Sequence, residues 1–201
     1  MLDGSDSIPS LSTYEELSSL SGFRFGFLPG ARATILVRNR ASGVVSLDQA
    51  ALNCVGRKSI DDHVDRHYCL LRGSDGLIHL IADPLAVTMA YAGIIDDGFL
   101  RQSREETTKS LQALCESLGI HLHLPQKLSV YGVLNMLQVA DGRTVMSGGD
   151  HEIFALVRDI VGKENVFATS VAISSFPIHF NGGIRCMTTE IPESVLDWCT
   201  H

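Results

Sequence analysis

The sequence predicts an α/β fold built of repeated strand–strand–helix–strand units, and three observations point to it. Twice, two short apolar runs joined by a glycine-containing turn lead into a helical pattern and then into a further apolar run. The joining turns, Gly73-Ser-Asp-Gly76 and Asp141-Gly142, have hairpin chemistry. The helical patterns stop at Gly119 and Gly162, where glycine suits a helix C-terminus. No low-complexity linker interrupts the chain, so residues 1–201 read as a single domain.

Taken in order, Met1-Leu-Asp-Gly-Ser-Asp6 is an acidic turn, and Ser12-Thr-Tyr-Glu15 offers a capping box for a short helix to Leu20. Residues 33–37 read as a strand leading into Arg38-Asn-Arg40. A second helix is expected over 47–55, capped by Ser46 and stopped by Gly56. Residues 68–71 and 77–81 form the first hairpin, and 82–100 is ambiguous, with helical spacing in its middle. Ser103-Arg-Glu-Glu106 is a second capping box. The helix it opens places Leu111, Leu114, Cys115 and Leu118 on one stripe, and residues 120–124 follow as a strand. The second unit comprises strands at 134–140 and 144–146, a helix over 150–161 and a strand at 165–168.

Composition narrows the function classes. With 45% hydrophobic and 19% charged residues, the chain is long enough to bury a substantial core. A formal charge of −7 and the lack of a lysine–arginine cluster argue against nucleic acid and anionic membrane as partners, and tolerate a cationic small molecule. No run reaches the ~18 apolar residues that a membrane span needs. The cysteines, Cys54, Cys69, Cys115, Cys186 and Cys199, are odd in number and form no Cys-x-x-Cys pair. With no signal peptide at the start, that pattern predicts reduced thiols in a cytoplasmic setting.

One stretch concentrates the chemistry. In Phe180-Asn-Gly-Gly-Ile-Arg-Cys-Met187, Cys186 follows a glycine pair, and glycine lets a ligand approach the main chain. Residues 187–191 read as the strand anchoring that turn. The plain alternative is that the thiol is a small buried hydrophobe. A second stretch, Asp62-His-Val-Asp-Arg-His67, sets His63 and Asp65 two apart before an apolar run, so that at a strand's beginning they would share a face. A thiolate nucleophile gains from such a histidine, which can then move protons. His63 and His67, with Cys69 beyond, also have helix-like metal spacing, but the segment lacks the acid of a His-Glu-x-x-His site, and no metal is expected. His121 and His123 alternate with leucines and read as a strand's solvent face. His151 and His179 are read as lining residues, and Asp61 and Asp62 as solvated turn residues.

Together, Asp62-His63-Val-Asp65 and Gly182-Gly183-Ile-Arg-Cys186-Met resemble the pentein superfamily of guanidine-modifying enzymes. These comprise agmatine, arginine and peptidylarginine deiminases, dimethylarginine dimethylaminohydrolase and arginine:glycine amidinotransferase. Leu2-Asp-Gly-Ser-Asp6 is similar to the acidic element of the hydrolase and of arginine deiminase, and Arg38-Asn-Arg40 more loosely to the basic stretch after it. Asp62 and Ser5 stand where the family has glycines. The resemblance covers nearly the whole chain and implies a propeller-like pentein fold, with the N-terminal blade or blades missing. It implies a guanidino-group hydrolase in arginine metabolism, acting on arginine, a derivative, agmatine or peptidyl-arginine, with no cofactor and no metal. Cys186, His63 and Asp3 would be catalytic; Asp65, Asp6, Arg40 and Gly183 would bind substrate. It is also compatible with an amidinotransferase, with an impaired relative that binds guanidinium or protein, and with a homo-oligomer whose second chain supplies a missing wall.

Overall fold

Residues 23–27, 34–49, 64–84, 104–130, 132–170 and 183–185 are described by the structure, a computed structural model. Nine short strands among them form three three-stranded sheets. The first sheet is an antiparallel meander of β1 (Phe23–Phe27), β2 (Thr34–Asn39) and β3 (Val45–Gln49). The helix expected over 47–55 is thereby corrected at its start: Ser46 pairs with Val37 on β3, and residues 50–56 lie outside the described residues. The cause is a local turn. The Asn39 side chain accepts from the N–H groups of Ala41 and Ser42 at 2.8 and 3.1 Å, reversing the chain so that Val45 meets Arg38 across the ladder.

The second and third sheets have the strand–strand–helix–strand order. In the second sheet, β4 (Tyr68–Arg72) runs antiparallel to β5 (Ile78–Ala82), α1 (Arg104–Leu118) follows, and β6 (Ile120–His123) pairs parallel to β5. In the third, β7 (Leu137–Gln138) is antiparallel to β8 (Thr144–Met146), α2 (His151–Val161) follows, and β9 (Val166–Ala168) pairs parallel to β8. The molecule is therefore mixed α/β with small sheets.

The strand expected over 134–140 shrinks to two residues. Gly132 and the residues after it form successive tight turns, with Asn135 N–H donating to Gly132 and Met136 N–H to Leu134. The apolar run is buried as a turn: Val133, Leu134 and Met136 are at most 3% exposed.

Alternation on β4 separates two cores. Cys69 and Leu71, with Ile81 of β5, pack against Val133, Leu134, Met146, Ile153, Val157 and Val161 of the second unit. Tyr68, with Leu80, packs the other way, onto Leu111, Cys115 and Leu118 of α1 and Leu36 of β2. Sheet two is thus covered on both faces, which is why β4 reads as a continuous apolar run. Full burial of each leucine contributes about 1.5–3 kcal/mol.

Polar side chains complete the joints between units. Gln138 accepts from Arg72 N–H at 2.7 Å and donates to Arg72 C=O at 2.9 Å, so its amide extends the ladder across the gap between β4 and β7. Ser74, in the β4–β5 turn, donates its N–H and its hydroxyl to the Ile160 carbonyl near the end of α2. Among the described residues no helix is long and apolar enough to cross a membrane.

Candidate functional site

Asp65 lies in a 3₁₀ turn, Val64–Arg66, immediately before β4. It is not on the strand, so the alternation expected to align residues 63 and 65 begins only at Tyr68. The turn is held by its neighbours: His67 Nδ1 lies 2.9 Å from Asp83 Oδ2, and Asp83 N–H donates to His67 C=O, closing the open end of the hairpin. That gives His67 a structural partner, while His63, the other half of the metal spacing, lies outside the described residues. Among the described residues no group of three or more His, Cys, Asp or Glu side chains is arranged to hold a metal ion.

Asn135 is the centre of the site. It is 1% exposed, and its side chain has two partners distant in sequence. Its Nδ2 donates to Asp65 Oδ2 at 2.6 Å, and its Oδ1 accepts the main-chain N–H of Arg185 at 2.9 Å. One buried carboxamide thus ties the Asp65 turn to the segment 183–185. A buried amide satisfied on both sides fixes the groups it bridges, because losing either bond leaves a desolvated polar atom.

Gly183 fits this contact by having no side chain. A Cβ there would come within 2.4 Å of Asn135 Oδ1 and 2.6 Å of its Cγ, closer than atoms can approach. Gly183 is buried, Ile184 is 4% exposed, and Arg185 turns out to solvent. Beneath them, burial pushes the Cys69 thiol up to about 12, opposed by the Arg185 guanidinium and reinforced by Asp65. Cys69 is therefore a core thiol close to both charges. Cys115, within the α1 core, is also pushed up by burial, to about 11, with Glu116 adding to the rise.

Arg40 lies elsewhere. It is exposed in the β2–β3 turn, where with Arg38, Glu116, Ser117, Leu118 and Gly119 it lines an open cleft of about 520 Å³ at the C-terminal end of α1. Arg38 also donates to the Leu118 carbonyl there. Asp65, Asn135 and Gly183 do not line that cleft. Of the residues named from the sequence, the structure brings Asp65 and Gly183 together and sets Arg40 at a different cleft. Cys186, His63, Asp3 and Asp6, like His179, Asp61, Asp62 and the strand expected over 187–191, lie outside the described residues. His151 is exposed on the first turn of α2.

Asn135 was not among the residues singled out by sequence. Its signal is a lone amide inside the apolar run Val133-Leu-Asn-Met-Leu137, where a polar group requires a partner. Chemically, the arrangement is a half-buried carboxylate that accepts from an amide N–H. Comparison of the chain with family models, with curated proteins and with solved structures gives no match.

Proposed function

We propose that the chain is a guanidino-group hydrolase of the deiminase kind, acting on arginine, an arginine derivative or agmatine through a covalent intermediate on Cys186. The reading begins from the likeness of His63-Val-Asp65 and Gly182-Gly-Ile-Arg-Cys186 to guanidine-modifying enzymes. One observation supports it: Asn135 links Asp65 to the main chain of Arg185. Residue 65 is two positions after His63, and residue 185 directly precedes Cys186. The link therefore joins the two distant segments that this chemistry requires together.

In the proposed reaction Asp65 holds the guanidinium nitrogens. The Cys186 thiolate attacks the central carbon, forming a C–S bond. The C–N bond then breaks as protonated His63 gives its proton to the departing ammonia or amine. Neutral His63 next takes a proton from water, the resulting hydroxide adds to the same carbon, and the C–S bond breaks to release the thiolate and an O-protonated ureido group, which gives its extra proton to solvent. Two steps through a covalent intermediate replace one difficult substitution. Asn135, by fixing Asp65 and the loop before the thiol, would set the geometry of attack.

Incubation with arginine, agmatine and an N-methylated arginine tests this. Ammonia and a ureido product are expected from at least one, and none from Cys186→Ala. Iodoacetamide should alkylate Cys186 well ahead of Cys69 and Cys115, whose thiols burial holds near 12 and 11. Asn135→Ala, checked for folding by circular dichroism, should lower kcat/KM about 100-fold, the scale of a small misplacement of reacting groups. A folded wild-type chain that releases no product, with Cys186 no more reactive than Cys69, sinks the proposal.

A further inference from the structure

Sheet two has a histidine cluster that the guanidine chemistry does not use. His79, on β5, is 7% exposed, and the parallel register sets it beside His121 of β6, with His123 two residues further along the same face. His121 is exposed and His123 half-buried, so the expectation of a solvent face holds for His121 and is corrected for His123. His79 Nδ1 lies 2.9 Å from His123 Nε2, and His79 Nε2 lies 3.3 Å from Asp75 Oδ1 in the β4–β5 turn. The ring of His79 is 5.2 Å from that of His123 and 5.3 Å from that of His121.

The 2.9 Å gap between His79 Nδ1 and His123 Nε2 has room for one proton. With Asp75 accepting at Nε2, neutral His79 presents Nδ1 as an acceptor, and His123 donates its Nε2–H. A first proton from solvent, taken at His123 Nδ1, leaves the shared proton in the gap. His123 Nε2–H still donates to His79 Nδ1, and the bond persists. A second proton puts N–H against N–H and two cations on neighbouring rings. The contact cannot survive it.

We propose that the His79–His123 pair is an acid-released clasp, holding the edge strand β6 against β5 near neutral pH and letting it go when both rings are protonated. Among the described residues, the titratable groups acting on the pair are Asp75 from the hairpin turn and His121 from β6. The β4 neighbour of His79 in register is Leu71, and Ile81 stands beside His123. Burial, then His79 and His121, lower the pKa of His123 below its ordinary 6.5. Asp75 is itself held low, first by the Leu77 N–H and then by His79, so it stays anionic over the same range. The sign follows. A base depressed on folding leaves stability undiminished above the unfolded value of 6.5; below it the unfolded chain takes up the proton first, and stability falls as pH drops through the lower folded value. Beyond β6 the chain runs to Ser129 and Val130, whose N–H groups are anchored on Asp150. Release therefore loosens the strand that leads towards the Asn135 turn.

Hydrogen exchange of the full chain at about pH 7.5 and about pH 5.5, corrected for intrinsic rates, brackets histidine titration and tests the clasp. Protection of the 120–123 amides, relative to those of α2, should fall severalfold at the lower pH. In His123→Gln, which keeps an N–H donor and takes up no proton, that loss should disappear. Unchanged wild-type protection, or an equal loss in the variant, overturns the proposal. In the wild-type protein the NMR titration of the His123 ring should lie below its ordinary 6.5; an ordinary midpoint overturns the proposal equally.

Discussion

In the unit formed by β4, β5, α1 and β6 the strands are four or five residues long and the helix has fifteen; in that of β7, β8, α2 and β9 the strands are two or three residues long and the helix has eleven. Strand order and direction are the same. The longer unit is held by its ladders and by apolar packing on α1. The shorter one is held by side chains that take over main-chain duties. Asp150 accepts from the N–H groups of Ile153, Ser129 and Val130, and Gln138 acts as an added rung against Arg72. A topology can thus be kept with few ladder bonds if a few buried polar groups replace them.

Ile153 is fully buried in the core that both units share. Ile153→Ala should cost about 3–4 kcal/mol by urea denaturation. Both units should lose hydrogen-exchange protection together, and protection surviving in β4 and β5 alone would show that they do not depend on one core. Next comes Asp150→Ala, which leaves the α2 cap and two loop N–H groups without their acceptor. A loss of about 3 kcal/mol is expected in the same denaturation experiment, the sum of a cap and of uncompensated donors. A loss under about 1 kcal/mol would mean that water replaces the carboxylate without difficulty, and the contrast between the units would dissolve.

The smallest difference between the units lies at the helix ends. Gly119, after α1, has φ +65°, within the left-handed helical basin, whereas Gly162, after α2, has φ +94° and ψ 144°, where side chains are far rarer. In both places an added Cβ would meet the end of a flexible side chain, of Arg38 or of Glu164, so the backbone decides. Gly162→Ala should lower stability by about 2 kcal/mol and Gly119→Ala by about 1 kcal/mol. Equal melting temperatures for the two variants would contradict this.

These contrasts also mark what the sequence could convey. Helix α2 was legible because Asp150 and Gly162 bracket an amphipathic run with local signals at both ends. Strand β3 was misread because Ser46 before Leu-Asp-Gln imitates a helix start, while the deciding turn at Asn39 lies several residues earlier and the pairing with β2 is tertiary. Strand β1 went unread, although Phe23-Arg-Phe-Gly-Phe27 alternates as a strand should. The role of Asn135 depends on residues 70 and 50 positions away, and periodicity carries no information at that range. Gly183 was noted for its backbone freedom; what the structure adds is the amide pressed against it.

The grip of Asn135 on residue 185 includes the peptide N–H. Nineteen of the twenty amino acids supply that group, and proline alone does not. Proline at this position should therefore undo the docking of the loop, and a library randomised at 185 should be depleted of it.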